Sequence, residues 1–375
     1  MYADMKNVIL PGDRDKVIYN CYEQQVMTLS YFYSKEYWKL FLGTTVEYQD
    51  NDCIYLEDII KTDTRLHEMA FKYYGIRWEE LPSEQNLTFD NQDIYFISMN
   101  VKDYPFSREI EEDGRHCFLI YGQDKEGYLV NDNYYQVTDY VLDEELYRKG
   151  EKQVFHIRQE KDFVSPSCLH DEIIEKMSHN YCDELEKAIK LIERKKLSEY
   201  HSADLLDRIQ ACYSFTKKDV EILKANYSKD PYVKVCMAIL DEVAETIKKM
   251  WYVLIKVQLK YEKIPSEVIL EKFKEISSIL TVERRVKKEI VNLLMHRNGL
   301  KEELEQQLLD YLEVDKINDD RSVYEDHVSV AVMFMIIYWE EHNNIAELDY
   351  LSYKDLNTYG EYKLMTFRNI LRAGL

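Results

Sequence analysis

Asn20-Cys21-Tyr22-Glu23-Gln24-Gln25-Val26-Met27-Thr28-Leu29-Ser30-Tyr31-Phe32-Tyr33 decides how the rest of the chain is read. Its apolar residues recur at Tyr22, Val26, Leu29 and Tyr33, the spacing of one helix face. The stretch follows the turn signal Pro11-Gly12-Asp13, and Asn20 stands where an N-cap residue belongs. Cys21 is therefore expected in the first turn of a helix. Free N–H groups and the positive end of the helix dipole stabilise a thiolate there. Read alone, Cys21 is a small apolar residue at a helix end. Its weight comes from two residues about a hundred positions further on.

Four later stretches rich in β-branched and aromatic residues read as strands: Ile94–Met99, His116–Tyr121, Gly127–Asp132 and Gln153–Ile157. Between Cys21 and the first of these, an apolar stretch Tyr37–Leu42 ends at Gly43, and a helix His67–Tyr74 ends at Gly75. Helices followed by an antiparallel sheet give an α+β domain. The polar loop Gly122-Gln123-Asp124-Lys125-Glu126-Gly127 joins the second and third strands as a hairpin. If the hairpin pivots on Asp124, His116 faces Asp132 on the same side of the sheet. Pairing Gly122 with Gly127 instead puts Asn133 opposite His116. Either residue can hold an imidazole in one tautomer, and Asp132 is preferred because a charge in an apolar strand end needs a partner. A helix-start Cys, a strand-start His and an Asp closing the next strand follow the chain order of papain-like enzymes. The residues read together as a Cys21-His116-Asp132 triad.

These motifs carry a resemblance. Asn20-Cys21 opening an apolar helix, His116-x-Phe118-x-Ile120-x-Gly122, and Tyr128-x-Val130-x-Asp132 resemble the amino-terminal domain of the butirosin-biosynthesis acyltransferase family. They are also similar to the papain-like amide synthetase of closthioamide assembly and, more distantly, to the bacteriocin-processing cysteine peptidases that cut double-glycine leaders. The resemblance implies a papain-like domain over residues 1–162. It also implies transfer of an acyl group from a carrier-protein thioester through Cys21 to a small-molecule amine in antibiotic biosynthesis. The 4'-phosphopantetheine would arrive on the acyl or peptidyl carrier protein, and the enzyme itself would need no cofactor. The alternative is a cysteine peptidase. The peptidases carry a glutamine a few residues before the cysteine as an oxyanion donor, whereas Asp13–Asn20 contains none. The Cys21 backbone N–H, helped by the Asn20 side chain, is the candidate oxyanion site.

Bulk properties set the frame. The 375 residues exceed one ordinary core and suggest two domains. A net charge of −21 argues against nucleic acid and anionic membrane surfaces as partners. The longest apolar run, Val328–Trp339, is too short to span a bilayer. No export signal opens the chain, so the seven scattered cysteines read as reduced thiols of a cytoplasmic protein. Seven of the ten glycines lie at or before Gly150, so the chain beyond is poor in helix breakers. Residues 167–375 are accordingly expected to form an all-α domain after a seam near Asp162–Ser167. Its helices are read at Ile173–Ile192, Tyr232–Tyr261, Val268–Met295, Leu304–Leu312, Val328–Trp339 and Tyr362–Leu371.

Within that region Arg284, Arg285, Lys287 and Lys288 form a basic cluster on an acidic background. It reads either as a solvated helix face paired with Glu283 and Glu289 or as a dock for an acidic carrier protein. Cys168-x-His170 and His179-x-x-Cys182 offer zinc-type ligands in a spacing unlike a standard finger, and no metal is expected. Cys53, Cys117, Cys212 and Cys236 read as core or incidental thiols.

Overall fold

The computed structural model describes residues 5–11, 18–48, 60–63, 65–89, 93–105, 114–166, 169–179, 181, 186, 189–190, 202–261 and 266–295. The chain is mixed helix and antiparallel sheet, and it divides into two compact units, Met1–Thr44 with Asp63–Leu169, and Thr45–Thr62 with His170–Leu375. None of the described helices is long and apolar enough to cross a membrane.

The first unit opens with a segment, Met5–Leu10, that buries Met5, Val8 and Leu10, and with helix α1, Cys21–Ser34. Asn20 is the N-cap of α1. Its Oδ1 accepts from the Glu23 N–H at 2.9 Å, while Glu23 Oε2 accepts from the Asn20 N–H at 3.1 Å. This reciprocal box satisfies two donors that a helix start leaves open and fixes where the helix begins. The apolar stretch after α1 is a 3₁₀ helix, Trp38–Gly43. Helix α2, Leu66–Tyr74, ends at Gly75 with φ of 65°, a left-handed position that favours glycine.

Strands β1, Thr45–Tyr48, and β2, Ile60–Asp63, form a two-stranded sheet. Six more strands form the large sheet: β3 Ile76–Leu81, β4 Ile94–Asn100, β5 Arg115–Gln123, β6 Gly127–Asp132, β7 Val137–Asp143 and β8 Lys152–Gln159. The short helix α3, Glu144–Lys149, lies between the last two. The spatial order is β3-β8-β4-β5-β6-β7, and every pairing is antiparallel. The central strands β4 and β5 are buried along nearly their whole length, as strands covered on both faces are. On one face Tyr95, Ile97, Phe118, Ile120 and Val130 pack into a single apolar cluster.

The hairpin register differs from both sequence expectations. The β5–β6 ladder pairs Gln123 with Tyr128, Gly122 with Leu129, Ile120 with Val130 and Leu119 with Asn131, with a bulge between Ile120 and Gly122. Asp124 Oδ1 accepts from the N–H groups of Glu126 and Gly127, and the Asp124 N–H donates to the Gly127 carbonyl. The turn is therefore tighter than a pivot on Asp124, and the extra residue is taken up in the bulge. Continued along the strand, this register points His116 at position 134 and Asp132 at position 118. The misreading is by two residues, so His116 and Asp132 keep the same side of the sheet.

The second unit is described through four helices: α4 His170–Ser178, α5 Ser202–Tyr227, α6 Pro231–Tyr261 and α7 Ser266–Met295. The helix expected over Ile173–Ile192 is interrupted after Ser178, and the described residues Tyr181, Glu186, Ile189 and Lys190 beyond the break are again helical, while α5 was not singled out in the sequence. Leu304–Leu312, Val328–Trp339 and Tyr362–Leu371 lie outside the described residues.

Candidate active site

Cys21 is the first residue of α1 and is partly exposed, flanked by the exposed Asn20 and Arg115. Its Sγ lies 3.8 Å from the Arg115 carbonyl, to which only the protonated thiol can donate, and the Cys117 backbone N–H favours its charged form. Two residues apart on a strand, these groups point to the same side. The β5–β6 ladder has already ended at Leu119–Asn131, so the sulfur takes up backbone groups that a continuing strand would have used. Because Sγ lies at the strand edge, side chains from both faces of β5 reach it. His116 comes from one face and Cys117 from the other, and both lower the Cys21 pKa.

The His116 ring is 4% exposed and packs against Tyr104, at 4.6 Å between centroids, and Tyr135, at 4.9 Å. Its Nε2 is 2.7 Å from Asp132 Oδ2, which leaves Nδ1 for the sulfur. Asp132 is fully buried and accepts four further hydrogen bonds: from Tyr104 OH at 2.7 Å, Gln25 Nε2 at 3.1 Å, and the N–H groups of Tyr134 and Tyr135. A buried carboxylate with so many donors is fixed in place before any substrate arrives. Burial and the neighbouring Asp132 hold the Tyr104 phenol far above its usual range, so it stays a donor.

The electrostatics favour a thiolate–imidazolium pair. The Cys117 hydrogen bond, with the bond and charge of His116, outweighs burial and brings the Cys21 thiol down to about 5. Burial works to lower the His116 pKa, but the Asp132 hydrogen bond and then Cys21 raise it to about 9. Between those values the sulfur is anionic and the ring cationic. The Cys117 thiol is pushed the other way, by its bond to Cys21 and then by burial, and keeps its proton.

Asn133, the alternative partner for His116, is committed elsewhere. Its Nδ2 donates to the Val8 carbonyl and to Thr28 Oγ1, and its Oδ1 accepts from the Leu10 N–H. The Asn20 Oδ1 is occupied by the capping box, so only its amide nitrogen could serve an oxyanion.

Three contributors escaped the sequence reading. Gln25 had a signal, since it stands one helical turn after Cys21 and shares its face. Tyr104 had none, because only the folded sheet brings it to Asp132. Cys117 reads in the sequence as a core or incidental thiol, because strand alternation turns it away from His116 and only the folded strand edge brings it to the sulfur.

The basic cluster of α7 does not form one surface. Lys287 is 1% exposed and lies 2.6 Å from Asp219 and 2.8 Å from Glu283, both fully buried. A side chain committed to two interior carboxylates cannot dock a partner. Arg284 is half-buried, Lys288 is exposed, and the Arg285 side chain lies outside the described residues. Of the zinc-type quartet, Cys168 and Cys182 also lie outside them. His170 bonds to Tyr227 OH at 2.9 Å and to the Leu294 carbonyl at 3.2 Å. No family model, curated protein or solved structure matches the chain.

Proposed function

We propose that this protein is a cysteine-dependent acyltransferase, built on a papain-like first domain with a helical second domain, in which Cys21, His116 and Asp132 act as a triad. In this reading Cys21 takes an acyl group from a carrier-protein thioester and passes it to a small-molecule amine. The observation that carries the proposal is the Cys21 sulfur at a helix start beside His116, which lowers the thiol's pKa and whose Nε2 lies 2.7 Å from Asp132.

The chemistry closes as a cycle. The Cys21 thiolate attacks the thioester carbonyl, forming its own carbon–sulfur bond. The donor carbon–sulfur bond breaks, and the departing pantetheine thiolate takes the proton of the His116 imidazolium. An amine then attacks the acyl-enzyme. As the nitrogen–carbon bond forms, the neutral His116 accepts the amine proton and Cys21 leaves as thiolate. The resting ion pair is restored. Asp132 keeps Nδ1 aimed at the sulfur throughout and balances the imidazolium charge.

Peptide cleavage by the same ion pair requires His116 to protonate a poorly leaving amine as it departs. Exchange with a thioester sets one thiolate against another and goes forward readily. The missing glutamine before Cys21 points the same way, because amide attack leans hardest on an oxyanion donor. The carrier, with its phosphopantetheine, is the donor's property and not a cofactor of this chain. The α7 cluster supplies no argument for where the carrier docks.

The test is a partition experiment. The full chain is given an S-acyl pantetheine thioester with and without a panel of primary amines, and separately a set of peptides. Amide formation that consumes the thioester, with little free acid, is the expected result. Peptide cleavage without amide formation would replace the proposal with a cysteine peptidase.

A further inference from the structure

A second thiol stands at the reacting sulfur, and the cycle above does not use it. Cys117 is 6% exposed, and no group bears more strongly on the Cys21 thiol. It pairs across the sheet with Ser98 of β4, whose hydroxyl favours charge on the Cys117 sulfur. Ser98 is held in turn by Arg115, whose Nε donates to Ser98 Oγ at 3.0 Å and whose Nη2 donates to the Ser98 carbonyl at 2.9 Å. The proton order follows from the donor and acceptor inventory. Arginine can only donate, so Ser98 Oγ accepts from it and turns its own O–H to the Cys117 sulfur. The Cys117 S–H is then free to point at Cys21.

We propose that Cys117 is a positioning residue whose thiol, fixed by Ser98 and Arg115, donates a hydrogen bond to the Cys21 thiolate from the side opposite His116. The Cys21 sulfur is thereby held by two arms of different kinds. His116 gives and takes protons during the reaction. Cys117 keeps its proton, because the neighbouring anion and burial both resist a second charge there.

The geometry assigns this arm a moment in the reaction, and that part rests on the acyl-transfer reading. A thioester sulfur is a poor acceptor, whereas a thiolate is a strong one. The Cys117 bond is therefore weak in the acyl-enzyme and strong when Cys21 departs. It lowers the energy of the leaving thiolate and helps an amine discharge the acyl group.

The test separates the two parts. In the first arm the full chain is alkylated with iodoacetamide across pH, and modification of the Cys21 peptide is followed by mass. In the wild type the thiolate is expected to appear with a midpoint at about 5. Cys117→Ala should raise that midpoint by about one to two pH units, the worth of one hydrogen bond to a charged group. Cys117→Ser, which keeps a donor, should return most of the shift. Ser98→Ala, one bond further out, should move it the same way by less, and serves if Cys117→Ala does not fold. A midpoint unchanged in Cys117→Ala and in Ser98→Ala would overturn the proposal. In the second arm an S-acyl pantetheine thioester is added without amine, and then an amine is mixed in. Slower discharge of the Cys117→Ala acyl-enzyme is expected, and equal discharge would overturn the leaving-group role. A shifted midpoint with no acyl-enzyme in either protein would leave the thiol's role standing and remove the acyl-transfer reading instead.

Discussion

Asp132 is the residue on which the site's geometry turns. Its two oxygens meet His116, Tyr104, Gln25 and two backbone N–H groups, so its identity as an anion matters as much as its position. Asp132→Asn keeps the shape but puts a donor where His116 needs an acceptor. By the logic of a mis-set imidazole tautomer, turnover should fall by about 10⁴. Tyr104→Phe removes one of several bonds to the same carboxylate, and a fall of about five- to tenfold is expected. Asn133→Ala removes hydrogen bonds to the Met5–Leu10 segment, Thr28 and Asn131, so it should weaken the fold without comparable loss of rate. Steady-state kinetics of the three variants checks the ranking, and Asn133→Ala as the most damaging would contradict it. Cys21, His116 and Asp132 could each be read from the chain because helix starts and strand alternation are local properties. Their supporting residues were harder, because Tyr104 and Cys117 owe their roles to contacts that only the closed sheet makes.

At the scale of elements, α7 shows how a charge run can mislead. Glu283, Val286, Lys287 and Ile290 are all buried, and their spacing is that of one helix face. That spacing was present in the sequence, but the density of charge suggested a solvated surface. Burial pushes the Glu283 carboxyl up, while Lys176 and Lys287 outweigh burial and hold Asp219 low. Despite burial, Asp219 and Glu283 keep Lys287 above its usual range. Lys287→Met removes the cation shared by two interior carboxylates. Breaking such a buried pair costs about 3–5 kcal/mol. The expected cost here is near the lower figure, about 3 kcal/mol, because Lys176 still lies 3.4 Å from Asp219. Urea unfolding of the full chain would show this as an earlier transition, and an unchanged midpoint would mean the network contributes little. The strands followed the same division. Central strands β4, β5, β6 and β8 carry long apolar runs and were legible. Edge strands β3 and β7 mix in charged residues such as Glu79, Glu80 and Asp139 and were passed over.

At the scale of the whole molecule, the sequence seam near Asp162–Ser167 lies close to the division at Leu169–His170. What the sequence did not signal is that Thr45–Thr62 groups with the second unit, since a short excursion carries no compositional mark. Cys21, His116, Asp132 and the residues that hold them all belong to the first unit, so the proposed chemistry draws its groups from one compact body. The central claim is that Cys21 carries the acyl group. The direct measurement is the intact mass of the full chain, quenched after mixing with an S-acyl pantetheine thioester in the absence of amine. The account predicts a gain of one acyl group, mapped to the Cys21 peptide, lost on adding amine and absent from Cys21→Ala. An acyl group that still forms in Cys21→Ala, or turnover of the thioester by that variant, would contradict it.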